Sequence, residues 1–452
     1  MGRCSQPHWD SAAVLCYGSR VLQEPRIEGL AKPLAQAARA VAHTLEEAGY
    51  RGWIVGGAVR DLALGRAPKD VDMVSAAHPD RILELFDRTH PIGKAFGVVI
   101  VQVAGVDLQL ATFRTESGYS DARHPDHIQF AESPQEDARR RDFTCNALYL
   151  DPLNGEVCDP CGGAKDMAAG ILATVGDPVA RFTEDGLRLL RLARFGAQLG
   201  LHPGPGLLEA AASCVQALSG VSPERVRAEL EGCLMSGAPE RALELLEGAN
   251  LIAACLPWFA GDGPAVGHAR HVLAALGPAA AGPAGWATLL GEEREDPSTL
   301  VERAEALRFS RADRKALERS AVLAARWGAL SDPGTPPSVR ILATRDEPWK
   351  PGWALARARC ECGGGAHDCA ALDAFGAWRE GLAPEQMNPP PLVGAAELKA
   401  AGIPRGPRWS ELIRLAEAAL MDGELTRAED VPSWLSERAR APDPSTGGQD
   451  PA

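Results

Sequence analysis

The chain has 452 residues, 45% of them hydrophobic and 24% charged, with a formal net charge of −13. That is the make-up of a globular protein with room for two to four domains, since domains usually run about 100–200 residues. Its long apolar runs are alanine-rich and broken by Gly or Pro, which argues against a membrane span, and the acidic total disfavours a nucleic-acid partner unless positive charge is gathered locally.

Residues 1–30 carry no clear periodicity and read as an N-terminal extension. They lack the basic-then-apolar plan of a signal peptide, so the eleven scattered cysteines are expected as reduced thiols in the cytoplasm. Residues 31–49 follow with Leu34, Ala38, Val41 and Leu45 near helical spacing. Residues 53–55 form a short buried strand closed by Gly56-Gly57, 58–64 a helix stopped at Gly65, and 71–74 a second strand. A helix over 79–87 precedes paired strands at 97–103 and 106–113, which turn at Ala104-Gly105. Residues 142–150 lead into 151–157, where Asn154-Gly155 is a strong hairpin signal. From about Ala164 the pattern becomes helical almost without strands, and Pro- and Gly-rich breaks fall at 261–264, 277–285, 331–337 and 388–391. The last dozen residues, APDPSTGGQDPA, are polar and read as disordered.

The stretch 55–74, VGGAVRDLALGRAPKDVDMV, has features that do not serve folding. Side chains alternate along a strand, so Asp70 and Asp72 converge on one side about 6.5–7 Å apart. Two divalent ions about 3.5–4 Å apart can bridge such a pair, and Mg²⁺ prefers carboxylate oxygen and keeps phosphate oxygens as further ligands. Gly56 and Gly57 let backbone approach a phosphate, the next helix start offers unpaired N–H groups, and Arg60 adds a guanidinium one turn on. A D-x-D alone is more often a turn and a strand with solvated acids. The glycine pair, Arg60 and the short spacing together describe nucleotidyl transfer.

This stretch resembles the signature of class II nucleotidyltransferases, the family of bacterial CCA-adding enzymes and poly(A) polymerases. The resemblance continues in order through ATFRTESGYSDARHPDHIQF (111–130), RRDFTCNALYLDP (140–152), DPCGGAKDM (159–167) and EDGLRLLRLARF (184–195), and returns in GIPRGPRWSELIRLAEAALMDGEL (402–425). It implies an α+β protein: a polymerase-β-like head with a small mixed sheet over 31–170, then an all-helical neck (171–235), body (236–325) and tail (326–440), ending in a disordered 441–452. It also implies addition of CMP and AMP from CTP and ATP to the 3′ end of tRNA, with Mg²⁺ held by Asp70 and Asp72 as the catalytic pair and no nucleic-acid template. Poly(A) polymerase, or an enzyme adding only CC or only A, is the alternative; the YSDARHPD loop looks more like the CCA branch. A catalytically dead RNA-binding protein is a reading of another class, and the intact Asp70, Asp72, Asp185 and Arg188 weigh against it.

Arg140 and Arg141 form a basic pair able to neutralise phosphates or hold a ribose. By resemblance Arg141 contacts the nucleotide, Asp142 reads the sugar and Asn146 holds the loop. Glu184, Asp185, Arg188, Arg191 and Arg194 fall at steps of three and four along one expected helix face. By resemblance Asp185 and Arg188 bond the incoming base as an amino-acid template, with Arg191 and Arg194 facing phosphates or base. An Arg fork and an Asp acceptor do suit the Watson–Crick edges of cytosine or adenine.

Two positions depart from the family. Gln109 stands where an acid is frequent; Asp107, two residues earlier on the same strand face, substitutes if the register permits, and the third carboxylate stays open. Many relatives carry a metal-dependent phosphohydrolase module marked by a His and a later His-Asp pair. Here His268 and His271 precede Gly291-Glu292 in place of that pair, so the module reads as a helical remnant without hydrolase activity. Separately, Cys360, Cys362, His367 and Cys369 have spacing that suits a structural zinc, although buried or exposed thiols are the commoner explanation.

Overall fold

Helix α1 (Lys32–Glu47) forms where Ala35, Ala38, Val41, Ala42 and Leu45 recur on one face, with a proline in its first turn where the missing N–H costs nothing. In the computed structural model, residues 15–17, 20–93, 97–117, 127–291, 297–345, 349–363 and 368–439 are described. The YSDARHPD loop, Glu292, His367 and residues 441–452 lie outside them, as do most of the first twenty residues. The chain divides into two units, Met1–Arg270 and His271–Ala452.

In the first unit, β1 (Gly52–Val55) runs into α2 (Gly57–Ala63), followed by β2 (Asp72–Ser75) and α3 (Pro79–Leu85). Strands β3 (Thr89–Gly93), β4 (Val98–Val103) and β5 (Val106–Thr112) come next, then α4 (Pro134–Ala138) and the two-residue strands β6 (Tyr149–Leu150) and β7 (Val157–Cys158). These strands make one seven-stranded sheet in the order β7-β6-β1-β2-β5-β4-β3. Only β2 and β5 pair in parallel; every other neighbour is antiparallel. The register sets Val55 opposite Asp72 and Asp72 opposite Gln109. Thus β2, bracketed on both sides, is a rigid support for the acidic pair. Its start differs from the sequence expectation: the ladder begins at Asp72, so Asp70 lies on the approach to the strand.

The head ends in α5 (Gly163–Ala168), whose first N–H groups are taken by the buried Asp159 carboxylate. Two helices then meet at a corner, α6 (Pro178–Glu184) and α7 (Leu187–Leu199). The single helix face expected from Glu184 to Arg194 is therefore interrupted. Asp185 is extended there (φ −143°), and its Oδ1 accepts the Leu187 N–H at 3.0 Å, a local bond that competes with a continuous helix. Gly186 makes the corner possible: a Cβ there would lie 2.1 Å from the Ala217 carbonyl oxygen. Helices α8 (Leu207–Ser213), α9 (Pro223–Leu234) and α10 (Pro239–Gly248) follow, and α7 packs mainly on α9 and α10. Short strands at Ile171–Leu172 and His202–Pro203 pair in parallel inside this helical region.

The second unit is helical. Its longest helix, Arg311–Ser331, buries Trp327 against Trp349 and Phe375, while Arg379 is drawn inside to bond Thr344. A smaller core collects Leu398, Leu412, Ala416, Leu425 and Leu435. Cys360 and Cys369 form a disulfide with Cα atoms 5.8 Å apart, and Cys158 is also disulfide-bonded, which corrects the expectation of thiols throughout. The partners stand at neighbouring helix ends: Cys360 lies in the last turn of the helix Lys350–Glu361 and Cys369 opens the helix Cys369–Glu380. With those sulfurs joined, neither is a thiolate for zinc. Among the described residues, Cys145, Cys161, Cys214, Cys233, Cys255 and Cys362 stand outside any disulfide, and no helix is long and apolar enough to cross a membrane.

Gly186→Ala is expected to destabilise the protein by about 1–3 kcal/mol through overpacking against Ala217. Gly267→Ala, in the helix Gly263–Leu276 with no atom within 4 Å of the new Cβ, should stabilise it by roughly 0.5–1 kcal/mol. Urea unfolding of the two variants beside the parent reads both signs.

Candidate functional site

Gly56 turns the chain from β1 into α2 at φ +72°, ψ −128°, a conformation that L side chains rarely adopt. Its ideal Cβ position lies 3.5 Å from Arg141 Nη1 and 3.7 Å from the Asn146 carbonyl oxygen, so the glycine also keeps the backbone beside that guanidinium. Arg60 is placed differently from its expected phosphate-facing role. It is buried, donates from Nη1 to Asn146 Oδ1 at 2.7 Å and from Nε to Asp61 Oδ1 at 2.9 Å, and lies over the Phe195 ring.

Asp70 and Asp72 both reach solvent while Val71 between them is buried. Protein crowds Asp72 on its other sides. This desolvation raises its carboxyl above the ordinary range; the Asp70 charge raises it further, and Arg141 partly opposes both. A carboxylate whose ionisation is disfavoured by burial and by a neighbouring acid suits a hard divalent cation, whose charge would relieve both effects. The neighbour across the parallel ladder is the neutral Gln109, while Asp107 accepts a hydrogen bond from Gln102 at 2.8 Å. Among the described residues no cluster of three His, Cys, Asp or Glu side chains could hold a metal.

Behind this face lies a chain of buried charges. Asp137 is wholly buried on α4; burial alone would raise its carboxyl, but Arg141 and Arg140 hold it below the ordinary range. It also accepts from the Tyr149 hydroxyl at 2.9 Å. Asp142 is held at about 2: burial opposes ionisation, and Arg191, Asn146 and the Phe143 N–H more than reverse it. Arg191 Nε donates to Asp142 Oδ2 at 2.7 Å and Asn146 Nδ2 to Oδ1 at 3.1 Å. Since Asn146 also receives Arg60, one continuous network joins the glycine turn, the 140–146 loop and α7. Phe195 sits at its centre under three guanidinium groups, Arg60, Arg191 and Arg194, at 5.3, 4.9 and 4.6 Å from the ring centroid.

The corner between α6 and α7 carries the base-facing candidates. Arg188 is largely buried. It donates to Glu184 Oε2 at 2.6 Å, to the Arg181 carbonyl at 2.9 Å and to the Arg140 carbonyl at 2.9 Å. Asp185 Oδ2 faces Arg225 Nη2 at 3.0 Å. Glu229, one turn further along α9, meets Arg194 at 2.8 Å and Arg191 at 3.7 Å; the contact with Arg194 is an ion pair without hydrogen-bond alignment. Burial raises the Glu229 carboxyl and lowers the Arg194 guanidinium, each partly offset by the other. Gly232 makes room for this pair, since a Cβ there would lie 2.3 Å from Arg194 Cδ.

Gly56, Arg141, Asp142, Arg191 and Arg194 are thus brought into one network, with Asp72 held close to Arg141 and Asp185 and Arg188 at its far edge. Sequence reasoning missed Asp137, Tyr149, Phe195, Arg225 and Glu229. Asp137 was detectable, standing three and four residues before Arg140 and Arg141; Arg225 and Glu229 carry no local signal because their partners lie on another helix.

Comparison with known proteins agrees with this geometry. Residues 52–173 match the family described as Poly A polymerase head domain, and residues 200–261 that described as Probable RNA and SrmB-binding site of polymerase A. A CCA-adding enzyme of Bacillus pumilus is 43% identical over 206 residues, which cover 46% of this chain and 51% of that protein. One from a Geobacillus species is 43% identical over 211 residues, 47% of this chain and 52% of that protein. The matched stretch spans about half the length of these curated relatives. The solved Bacillus stearothermophilus CCA-adding enzyme in complex with CTP aligns with a TM-score of 0.73 at 27% identity, covering 91% of this chain and 98% of that one. A Thermotoga maritima CCA-adding enzyme complexed with tRNA aligns at 0.66 over 92% and 97%, where 16% identity speaks to the fold alone. The mixed sheet, its glycine turn, Asp70 and Asp72 all lie within the matched head domain. Residues 52–173 are thus similar to the poly(A) polymerase head domain, and the fold is similar to that of a solved CCA-adding enzyme.

The Asp142–Arg191 pair makes a testable contribution to stability. The folded carboxyl titrates near 2 and the free one near 3.8, so its stabilisation is complete above pH 4 and is lost as pH falls through 2. Asp142→Asn is expected to cost roughly 2 kcal/mol at pH 7, and the gap to the parent should close on acidification from pH 4 towards 2. Denaturant midpoints at several pH values measure it.

Proposed function

We propose that this protein is a tRNA nucleotidyltransferase that adds CMP and AMP, from CTP and ATP, to the tRNA 3′ end without a nucleic-acid template. The observation that carries the reading is the continuous network from the Gly56 turn through Asn146, Asp142 and Arg191 to α7. It ties a phosphate-facing end, beside Asp70 and Asp72, to a base-facing end at Asp185 and Arg188. The names of the relatives, CCA-adding enzymes described with CTP, ATP or tRNA, support the choice of substrates and partner.

Gly56, Gly57 and Arg141 receive the triphosphate, the glycines through close backbone approach and Arg141 through Nη1, which lies beside Gly56 while Nε and Nη2 hold Asp137. Asp142 and Arg191 hold one another and so fix the floor between sugar and base. Asp185 accepts from the exocyclic amino group of cytosine or adenine, and Arg188 donates to the neighbouring ring acceptors. Asp70 and Asp72 would hold Mg²⁺, which when bound supplies charge neutralisation of the triphosphate and acidification of the attacking hydroxyl. The tRNA 3′ oxygen attacks the α-phosphate in line and pyrophosphate leaves. Arg60 contributes indirectly, by holding Asn146. Arg194 is held by Glu229 beneath the same floor. We assign this work to the cytoplasm.

The domain boundaries given above for head, neck, body and tail are part of this proposal. The assay is nucleotide addition to tRNA transcripts ending before CCA, after C and after CC, with labelled CTP or ATP supplied separately. Sequential addition of two C and one A is expected; long adenylate tails on an unrelated RNA would instead identify a poly(A) polymerase.

Asp72→Ala and Asp70→Ala should each reduce transfer by about 10²–10⁴-fold, several kcal/mol of lost transition-state stabilisation. Circular dichroism should show the fold unchanged, and a variant that keeps its rate refutes the metal assignment.

Replacing Arg188 with Ala should blur the choice between C and A before it weakens tRNA binding. Relative kcat/KM for CTP and ATP on the same acceptor reads this, and an unchanged ratio removes Arg188 from base selection.

A further inference from the structure

Helix α9 carries an arginine that the account above leaves without a task. Asp185 has both oxygens engaged: Oδ1 accepts the Leu187 N–H at 3.0 Å, and Oδ2 faces Arg225 Nη2 at 3.0 Å. One restraint comes from α7 itself and the other from a different helix. The plane of this carboxylate is therefore fixed, although a free Asp turns broadly about χ2. Arg225 spends only one prong on the contact. Its Nη1 is buried and finds no acceptor, an arrangement that a merely structural tie between two helices would be expected to avoid. The same face of α9 is shaped around α7 elsewhere, with Glu229 against Arg191 and Arg194, and Gly232 cleared for the Arg194 stem.

We infer that Arg225 determines nucleotide specificity by fixing the Asp185 carboxylate, so that its remaining lone pairs point as pure acceptors at the incoming base. Cytosine and adenine both present an exocyclic amino donor, whereas uracil and guanine present a carbonyl at the equivalent position. An acceptor held rigidly in place binds the first pair and repels the second. An Asp free to rotate gives up much of that difference. Arg225 acts through Asp185 and is a positioning residue. The inference rests on the reading of Asp185 as base-contacting.

The experiment measures kcat/KM for CTP, ATP, UTP and GTP on tRNA acceptors with full-length Arg225→Met, Arg225→Lys and Asp185→Ala. In Arg225→Met the preference for CTP over UTP should fall about tenfold or more, through weaker CTP use with UTP little changed. Arg225→Lys, which can still pair with Asp185, should recover most of that preference. If Arg225→Met slows all four nucleotides equally, the residue is structural and the inference fails. If Asp185→Ala leaves the preference intact, the base-reading assignment itself falls and takes this inference with it; a loss in Asp185→Ala with none in Arg225→Met overturns the inference alone. Should Arg225→Met not fold, Arg225→Gln replaces it under the same criteria.

Discussion

The ion pair between Asp142 and Arg191 is the constraint on which the site depends. A buried charge is tolerated only when it is paired and hydrogen-bonded. Here each partner satisfies the other, with Asn146 and the Phe143 N–H completing the carboxylate and Glu229 completing the guanidinium. Because Asp142 belongs to the loop beside the glycine turn and Arg191 to α7, the pair fixes the position of that loop relative to α7. Neither can shift without leaving the other unpaired inside the protein.

The surrounding architecture serves this constraint. The central β2 holds Asp72 between two strands, and Asp137 pins Arg140 and Arg141 from below. Small residues do as much as large ones. Gly186 lets Asp185 sit at a corner, and Gly232 lets Arg194 lie flat against α9. Phe195 offers a flat surface on which three like-charged guanidiniums lie close together, with Asp142 and Glu229 beside them. Arg188 and Asp185 are preorganised by contacts within the protein, which limits the ordering that nucleotide binding must impose.

How much of this was legible follows from where each signal resides. Strand and helix positions in the head were readable because periodicity and turn residues are local: Ala104-Gly105 does join β4 to β5, and Gly56-Gly57 does close β1. The acid pair was readable for the same reason. What periodicity concealed was the break at Asp185-Gly186, where steps of three and four continue across a corner made by one side-chain bond and one missing Cβ. Arg60 looked like a phosphate ligand from its position, but burial against Phe195 and Asn146 is a tertiary fact. Arg225 and Glu229 belong to the site only because α9 packs on α7. The Cys360–Cys369 bond depends on where two helix ends meet, which the spacing of the cysteines does not reveal. The family resemblance implied roles for Asp185 and Arg188 that their spacing alone does not give.

The central claim is that one rigid network presents a triphosphate to Asp70 and Asp72 and a base to Asp185 and Arg188. A crystal structure of the protein with CTP and Mg²⁺ tests it most directly. The account predicts the triphosphate beside Gly56, Gly57 and Arg141, and the cytosine amino edge within hydrogen-bond distance of Asp185. A nucleotide seated away from the α6–α7 corner, or phosphates remote from the two acids, would contradict it.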